Sequence, residues 1–431
     1  MMNIIKYPEQ QQWEEILQRP VEDPGQLNES VTEILEDVKK NGDYAVKKYT
    51  RALDGVELND LRVSESSVIG AGEVLERSLK MAIQKAGAHI EKFHEAQKHD
   101  DIAVEVMPGL KCWQKAVPID TIGIYVPGGS APLFSSVLMM AIPARVAGCE
   151  NVVLTTPPDE DGNIHPAILY AAAMAGVDKI YRAGGAQAIA AMAYGTGTIP
   201  RVNKIFGPGN QFVTRAKQLV SLEGVAIDMP AGPSELLVVA DNSTPPDYIA
   251  ADLLSQAEHG PDSQVLLLST DESLINKAKD AVEAMVQDLP RRKVALKSLE
   301  SCKLILLQDY EQIMKMANAY APEHLLLATE NAGELVLKVR NAGSVFVGSY
   351  TPESLGDYSS GTNHVLPTNG TATAYSGVNL DAFTKKITFQ QADRKSLSEI
   401  SDVTMAMASA EGLEAHRKAV EIRLNSKNEN L

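Results

Sequence analysis

Hydrophobic and polar positions follow two rhythms along this chain. In the first part, apolar residues recur at helical spacing among Glu and Lys, through Leu27–Tyr49 and Glu73–Gln97. That pattern predicts a charged, helical N-terminal segment over 1–115. From 116 the pattern changes to short apolar runs: TIGIYV (121–126), NVVLTT (151–156), KIYRAG (179–184) and NKIFG (203–207), with helical stretches such as Ala186–Tyr194 between them. Alternation of this kind predicts parallel βαβ units. A second series follows in ELLVVAD (235–241), QVLLLST (264–270), KLILL (303–307), HLLLAT (324–329) and SVFVG (344–348), after the Gly/Pro-rich crossing IDMPAGPSE. The expected fold class is therefore α/β, with two doubly wound, Rossmann-like domains in tandem over 116–234 and 235–377. Residues 351–377 are rich in Gly, Ser, Thr, Asn and Pro and are expected to form loops. A strand-like stretch, Phe383–Phe389, and a helix or helix pair over Ser396–Leu424 end the chain. A compact domain does not need this last part, 378–431, so it is expected to be an arm that packs on a partner subunit.

Composition narrows the function. Of 431 residues, 44% are hydrophobic, enough for a sizeable core, and the formal net charge is −16. Phosphate backbones are bound by Lys and Arg, so nucleic acid is not the expected partner. The three cysteines, Cys112, Cys149 and Cys302, form no CxxC pair. They are expected to be small buried hydrophobes rather than zinc ligands or disulfides. The N-terminus lacks a basic start followed by an apolar core, and the most apolar stretch, Pro132–Gly148, is interrupted by two serines, a proline and an arginine. A soluble cytoplasmic protein is expected.

The dinucleotide fingerprint GxGxxG is absent in clean form. YVPGGSAP (125–132) and FGPGNQFVTRAK (206–217) each follow a strand and precede a helix, where glycines let a phosphate approach backbone N–H groups. Alone, each also fits a tight turn with no ligand. A mostly parallel sheet is expected to bind at its carboxyl edge. His89, His94 and His99 recur every fifth residue, which turns each about 140° from the last on a helix. They cannot share a face and are expected to be solvated.

Stronger chemistry lies in the second series. Thr244 is placed to cap a helix running to Gly260, on which Gln256 and His259 share a face in the last turn, where the helix dipole favours a cation. They could equally be a polar capping pair. Glu323-His324 opens a strand: a carboxylate beside an imidazole suits acid–base work near neutral pH, or a surface ion pair. Adjacent strand residues face opposite ways, so the junction must turn if both serve one substrate. Asp357 and His364 fall in the loop-forming stretch 354–368, and Glu411 and His416 in the C-terminal segment, where a packed interface histidine is the plainer reading.

Taken in order, PAGPSE (230–235), QAEHG (256–260), APEHL (321–325), SLGDY (354–358) and GTNHVLPT (361–368) make the chain resemble the histidinol dehydrogenase family over most of its length. The resemblance implies an aldehyde-dehydrogenase-like pair of Rossmann-like domains and a homodimer with shared active sites. It implies one zinc per subunit, held by Gln256, His259, Asp357 and His416, although an N/O donor set also accepts other divalent ions. It implies that Glu323 and His324 transfer protons, and that these two and the four metal ligands also contact the substrate histidinol. It adds Ser234, His364 and Glu411 as substrate contacts and Tyr125, Gln187 and Asn210 as contacts to NAD. The implied reaction is the oxidation of histidinol through histidinal to histidine, the last two steps of histidine biosynthesis. Competing readings are a related zinc-dependent dehydrogenase of another small alcohol such as a sulfonated diol, a zinc hydrolase, and a non-catalytic α/β binding module. The phosphate-ready turns weigh against the hydrolase, and the clustered His, Glu and Asp against the module.

Overall fold

Two parallel sheets, each with helices on both faces, are built from the two series of apolar runs. The structure is a computed structural model that describes residues 2–19, 24–128, 131–229 and 232–426. The first sheet has five strands in the order Lys179–Arg182, Asn151–Thr156, Thr121–Tyr125, Lys204–Phe206, Ala226–Ile227. The second has six, in the order Asn3–Lys6, Lys303–Leu306, Gln264–Ser269, Glu235–Ala240, His324–Ala328, Ser344–Val347. All neighbours in both are parallel. Setting aside the N-terminal edge strand, both sheets share one doubly wound order, third-second-first-fourth-fifth along the chain. The strands are continuous apolar runs because both faces are covered. Leu236 to Ala240, for example, are all fully buried.

The chain divides into two compact units, described here separately: residues through Gln97 with Ile119–Phe383, which hold both parallel sheets, and Lys98–Pro118 with the chain from Thr384 onward. The second unit is a three-stranded antiparallel sheet, Thr384–Ala392 beside Leu110–Pro118 beside Ile102–Met107, followed by the helix pair Arg394–Ala410 and Glu414–Asn425. The expected helical segment over 1–115 thus needs correction. It contains the strands Asn3–Lys6 and Ile102–Met107 and the start of Leu110–Pro118. IAVEVM alternates with period two and is followed by Pro108-Gly109, with Gly109 at φ +82°, which is hairpin chemistry rather than helix chemistry. His94 is a second correction. It is fully buried, with Nδ1 2.8 Å from the Ile90 carbonyl oxygen, while His89 and His99 are exposed as expected. Cys302 is buried and Cys112 and Cys149 partly so, all three as free thiols. Among the described residues no helix is long and apolar enough to cross a membrane.

A buried ion pair shapes the switch point of the first sheet, where its first and fourth strands lie side by side. Lys217 and Asp228 pair with side chains 3% and 1% exposed. Lys217 Nζ donates to the Gly207 carbonyl at 2.8 Å, and the Gly207 N–H donates to Asp228 Oδ2 at 2.9 Å. Gly207 sits at φ +131°, and a Cβ there would come 2.1 Å from the Tyr125 carbonyl oxygen. The pair fixes a turn that only glycine can make, just before the helix Gln211–Leu222.

Candidate functional site

The residues expected to carry chemistry gather mainly at the amino edge of the second sheet, not at the carboxyl edge where open parallel sheets usually bind. Glu235 and His324 are the first residues of adjacent central strands, and Ser234, half-buried, precedes one of them. The approach to His324 turns as the sequence requires. The helix Tyr310–Tyr320 ends at Ala321 in the left-handed conformation, φ +50°. The chain then straightens through Pro322 and Glu323, whose carbonyls accept the N–H groups of Gly343 and Ser344. The Glu323 carboxylate reaches round the strand end: Oε2 accepts the Glu235 N–H at 2.8 Å and lies 3.5 Å from His324 Nδ1. Both side chains are buried, on one side.

His324 is held in one orientation. Its Nδ1 lies 3.1 Å from the Glu235 carbonyl oxygen, an acceptor only, so Nδ1 carries a proton. Its Nε2 is buried, has no hydrogen-bond partner and lies 3.8 Å from Asp357 Oδ1. Burial pulls the imidazole toward neutrality, but Glu323, Glu353 and Asp357 outweigh it and hold His324 well above the ordinary histidine value.

Asp357 was expected in a loop; it stands instead in the last turn of a short helix, Glu353–Tyr358. Pro352 opens that helix, and Gly356 lets it lie close: a Cβ there would come 2.7 Å from the Phe346 ring on the neighbouring strand. Burial works against the charge on Asp357, yet His324, His364 and His259 keep it below the usual carboxylate range. Glu353, one turn earlier on the same helix, was not singled out from sequence. It is 1% exposed, its Oε2 accepts a hydrogen bond from Ser255 Oγ at 3.2 Å, and its Oε1 is buried without a hydrogen-bond partner, 3.8 Å from His324 Nδ1. Burial pushes its carboxyl up to about 8. The spacing of four residues to Asp357 was the available signal, since it puts both on one helix face.

Gln256 and His259 come from the end of the helix Pro246–Ala257. Thr244, expected to cap it, does not. Its Oγ1 donates to the Ala328 carbonyl at 2.9 Å, and Pro245 holds the cap position. Gln256 is 1% exposed with neither amide atom hydrogen-bonded. The exposed His259 places Nε2 3.9 Å from Asp357 Oδ2. One ligand atom from each of His259, Glu353 and Asp357 fits within 4.8 Å of the others, a spacing that suits a metal ion. These N and O donors, with the unpartnered Gln256 amide on the same helix end, match what zinc accepts.

His364 has both ring nitrogens engaged: Nδ1 lies 3.0 Å from the Asp357 carbonyl oxygen and Nε2 3.2 Å from Ser136 Oγ. Burial lowers its affinity for a proton. Ser136 lies in the first turn of Phe134–Ala147, the helix that follows the first sheet's Thr121–Tyr125 strand, so the two sheets meet at His364. Glu411 and His416 belong to the second unit, where both are exposed, Glu411 between its two helices and His416 in the first turn of the last. Arg19 was also missed. Its guanidinium forks onto Glu235 at 2.5 and 2.9 Å and donates to the Tyr320 carbonyl at 2.7 Å, fixing the strand start on which Glu323 and His324 depend.

The candidates for NAD sit at the carboxyl edge of the first sheet. Tyr125 ends the first strand, and its buried hydroxyl accepts the Gly185 N–H at 3.2 Å. Gln187, in the helix Gly185–Tyr194, is buried with neither amide atom bonded. Asn210 caps Gln211–Leu222, its Oδ1 accepting from Phe212 and Val213 at 3.1 Å each. Residues 129–130 of the 125–132 turn and 230–231 of PAGPSE lie outside the described residues.

A family model described as histidinol dehydrogenase matches residues 17–424. A histidinol dehydrogenase of Bacteroides thetaiotaomicron is 55% identical over 426 residues, 99% of this chain and all of that one (100%). One from Salmonella typhimurium is 48% identical over 422 residues, 97% of this chain and 96% of that one. The crystal structure of histidinol dehydrogenase from Elizabethkingia anophelis superposes with a TM-score of 0.96 at 51% identity, covering 99% of both chains. Nearly the whole chain is matched in sequence and in three dimensions: it belongs to the histidinol dehydrogenase family.

Proposed function

We propose that this chain oxidises histidinol to the aldehyde histidinal and then to histidine, using zinc and two molecules of NAD in turn. The observation that carries the reading is His324: Nδ1 pinned on a backbone carbonyl, Nε2 open, and a second proton acceptor, Glu323, beside it. Gln256, His259 and Asp357, with His416 from a partner copy, are the assigned zinc ligands, and Glu353 is close enough to join or support them. Bound there, zinc would supply a positive centre for the nitrogen donors of the substrate, and NAD would supply the hydride acceptor.

The residues divide the proton work. His324 Nε2 takes the alcohol proton as the first hydride leaves the substrate carbon, giving the aldehyde. Glu323 takes a proton from the water that adds to the aldehyde while protonated His324 returns one to the aldehyde oxygen, giving the hydrate. Loss of the second hydride and a further proton from the hydrate gives the carboxylic acid. In metal-free protein the surrounding carboxylates favour protonated His324; a cation beside Asp357 offsets their charge and restores the neutral base. Ser234, His364 and Glu411 orient the substrate, and Tyr125, Gln187 and Asn210 hold the dinucleotide.

The second unit supports the dimer. Ile102, Val104 and Val106 alternate along one strand and are 61%, 51% and 58% exposed, and Val403, Met407 and Ile422 on its helix pair are exposed by similar amounts. Apolar faces of this kind call for a partner, and a second copy would be met at Glu411 and His416.

Purified protein given histidinol and NAD is expected to form two NADH per histidinol, to lose this activity on chelation and to regain it with zinc. Full turnover with metal at background level by elemental analysis would overturn the assignment. Glu323→Gln should slow aldehyde oxidation far more than alcohol oxidation, and His324→Ala the reverse, each by roughly 10²–10⁴-fold; equal losses in both half-reactions for Glu323→Gln contradict the division. Finally, mixing inactive His324→Ala and His416→Ala dimers under subunit exchange should restore about a quarter of wild-type activity, because half the dimers are mixed and each has one intact site. No recovery after exchange, confirmed by mass labelling, would mean that the C-terminal segment serves its own subunit.

A further inference from the structure

The carboxyl edge of the first sheet holds buried polar atoms that nothing among the described residues satisfies. Thr156, the last residue of Asn151–Thr156, is fully buried and its Oγ1 has no hydrogen-bond partner. Gln187 is buried with both amide atoms unbonded. Asp54 closes a π-helical turn, Thr50–Asp54, and its Oδ2 is likewise buried and unpartnered. Burial pushes its carboxyl up to about 6. A Cβ built on Gly184 would lie 3.4 Å from Asp54 Oδ1 and 2.7 Å from Pro157 Cβ, so the carboxylate stands over the turns that follow the second and third strands. Burial pushes the Tyr125 hydroxyl up to about 12, and the charge of Asp54 adds to that rise. Unsatisfied buried polar groups burden a fold unless a ligand completes their bonds.

In doubly wound dinucleotide sites an acidic side chain at the end of the second strand takes the ribose hydroxyls. This chain offers no such acid in sequence. The second strand runs into Thr156-Pro157-Pro158, and the next acid, Asp159, holds the N–H groups of Asp161 and Asn163 at 3.1 and 2.7 Å. Asp54 reaches that place from outside the βαβ unit. Gly128 and Gly184 keep the approach open: a Cβ at Gly128 would come 2.2 Å from Pro157 Cγ.

We propose that Asp54 binds the adenosine ribose diol of the dinucleotide, beside Thr156 and Gln187, and thereby selects NAD over its 2′-phosphorylated form. The inference rests on the NAD reading above and names the residue that sets its specificity. A carboxylate accepts from both ribose hydroxyls, whereas a 2′-phosphate would meet it as a like charge. Arg182, at the end of the third strand, is not free to compensate, because its Nη1 is held by the carbonyls of Asp60 and Arg62 at 3.2 and 2.9 Å.

The test is calorimetric titration of zinc-loaded, full-length protein with NAD⁺, NADP⁺ and ADP-ribose, for wild type and Asp54→Asn. Wild type should bind NAD⁺ and ADP-ribose at least about 10-fold more tightly than NADP⁺, the scale of a charge-assisted hydrogen bond. Asp54→Asn should weaken both by about that factor, bring NADP⁺ level with NAD⁺, and melt no lower than wild type without cofactor, since it removes the charge of a half-buried carboxylate whose Oδ2 has no partner among the described residues. If that variant does not fold, Asp54→Ser is judged by the same criteria. Unchanged NAD⁺ affinity in the variant, or no discrimination in wild type, overturns the role of Asp54 while leaving NAD in place. Failure of wild type to bind any of the three overturns the NAD reading itself, and this inference with it.

Discussion

Three carboxylates crowded around one buried imidazole are the constraint on which this structure turns. Glu323, Glu353 and Asp357 all lie within 4 Å of His324, in a place where water cannot screen them. Like charges brought together out of water cost several kcal/mol per ion unless they are compensated. Within the chain the compensation is partial. Glu353 keeps a proton up to about pH 8, and His324 takes one more readily than an ordinary histidine. A divalent cation beside His259 and Asp357, as proposed, would remove the strain in another way and would free His324 to act as a base. On that proposal, structural cost and catalytic competence would have one remedy.

The two sheets share a strand order but use opposite edges. The first presents its carboxyl edge, with Gly207 held by the buried Lys217–Asp228 pair and helix N-termini ready for phosphate. The second presents its amino edge, where strand starts, not strand ends, carry Glu235 and His324. An amino edge lacks the helix N-termini that attract anions, and is better suited to a cation and the carboxylates around it. The Ser136–His364 contact ties the two edges together, as the proposed hydride transfer from substrate to dinucleotide would require.

Much of this was legible in the sequence. The strands fall within about two residues of the apolar runs that predicted them, because buried parallel strands are short, continuous and bounded by Gly, Pro and polar residues. His259, Glu323, His324 and Asp357 were singled out, and the structure brings them together, with Gln256 on the helix end next to His259. Glu353 escaped because an acid after a proline in a first helical turn is ordinary; only packing against His324, from a distant strand, makes it unusual. Asp357 was read as a loop residue because Gly, Ser and Asp around it signal turns, whereas Gly356 is there for close packing on Phe346. The Ile102–Met107 strand was hidden behind the charged helices that precede it, whose period dominated the reading, and the burial of His94 depends on tertiary contacts that its spacing does not reveal.

The central claim, that the buried carboxylates of the site await a cation, is tested most directly by the stability of metal-stripped protein across pH. The Glu353 carboxyl is raised from 4.5 to about 8 on folding, so the folded chain holds that proton longer than the unfolded one. Its favourable contribution is complete below pH 4.5 and is lost as pH rises toward 8. Compared with Glu353→Gln, the wild-type unfolding midpoint should therefore fall progressively over that interval and then level off. Saturating zinc should raise the wild-type midpoint more at pH 8 than at pH 6. A difference between the two proteins that does not change with pH, or a midpoint that zinc leaves unmoved, would contradict the account.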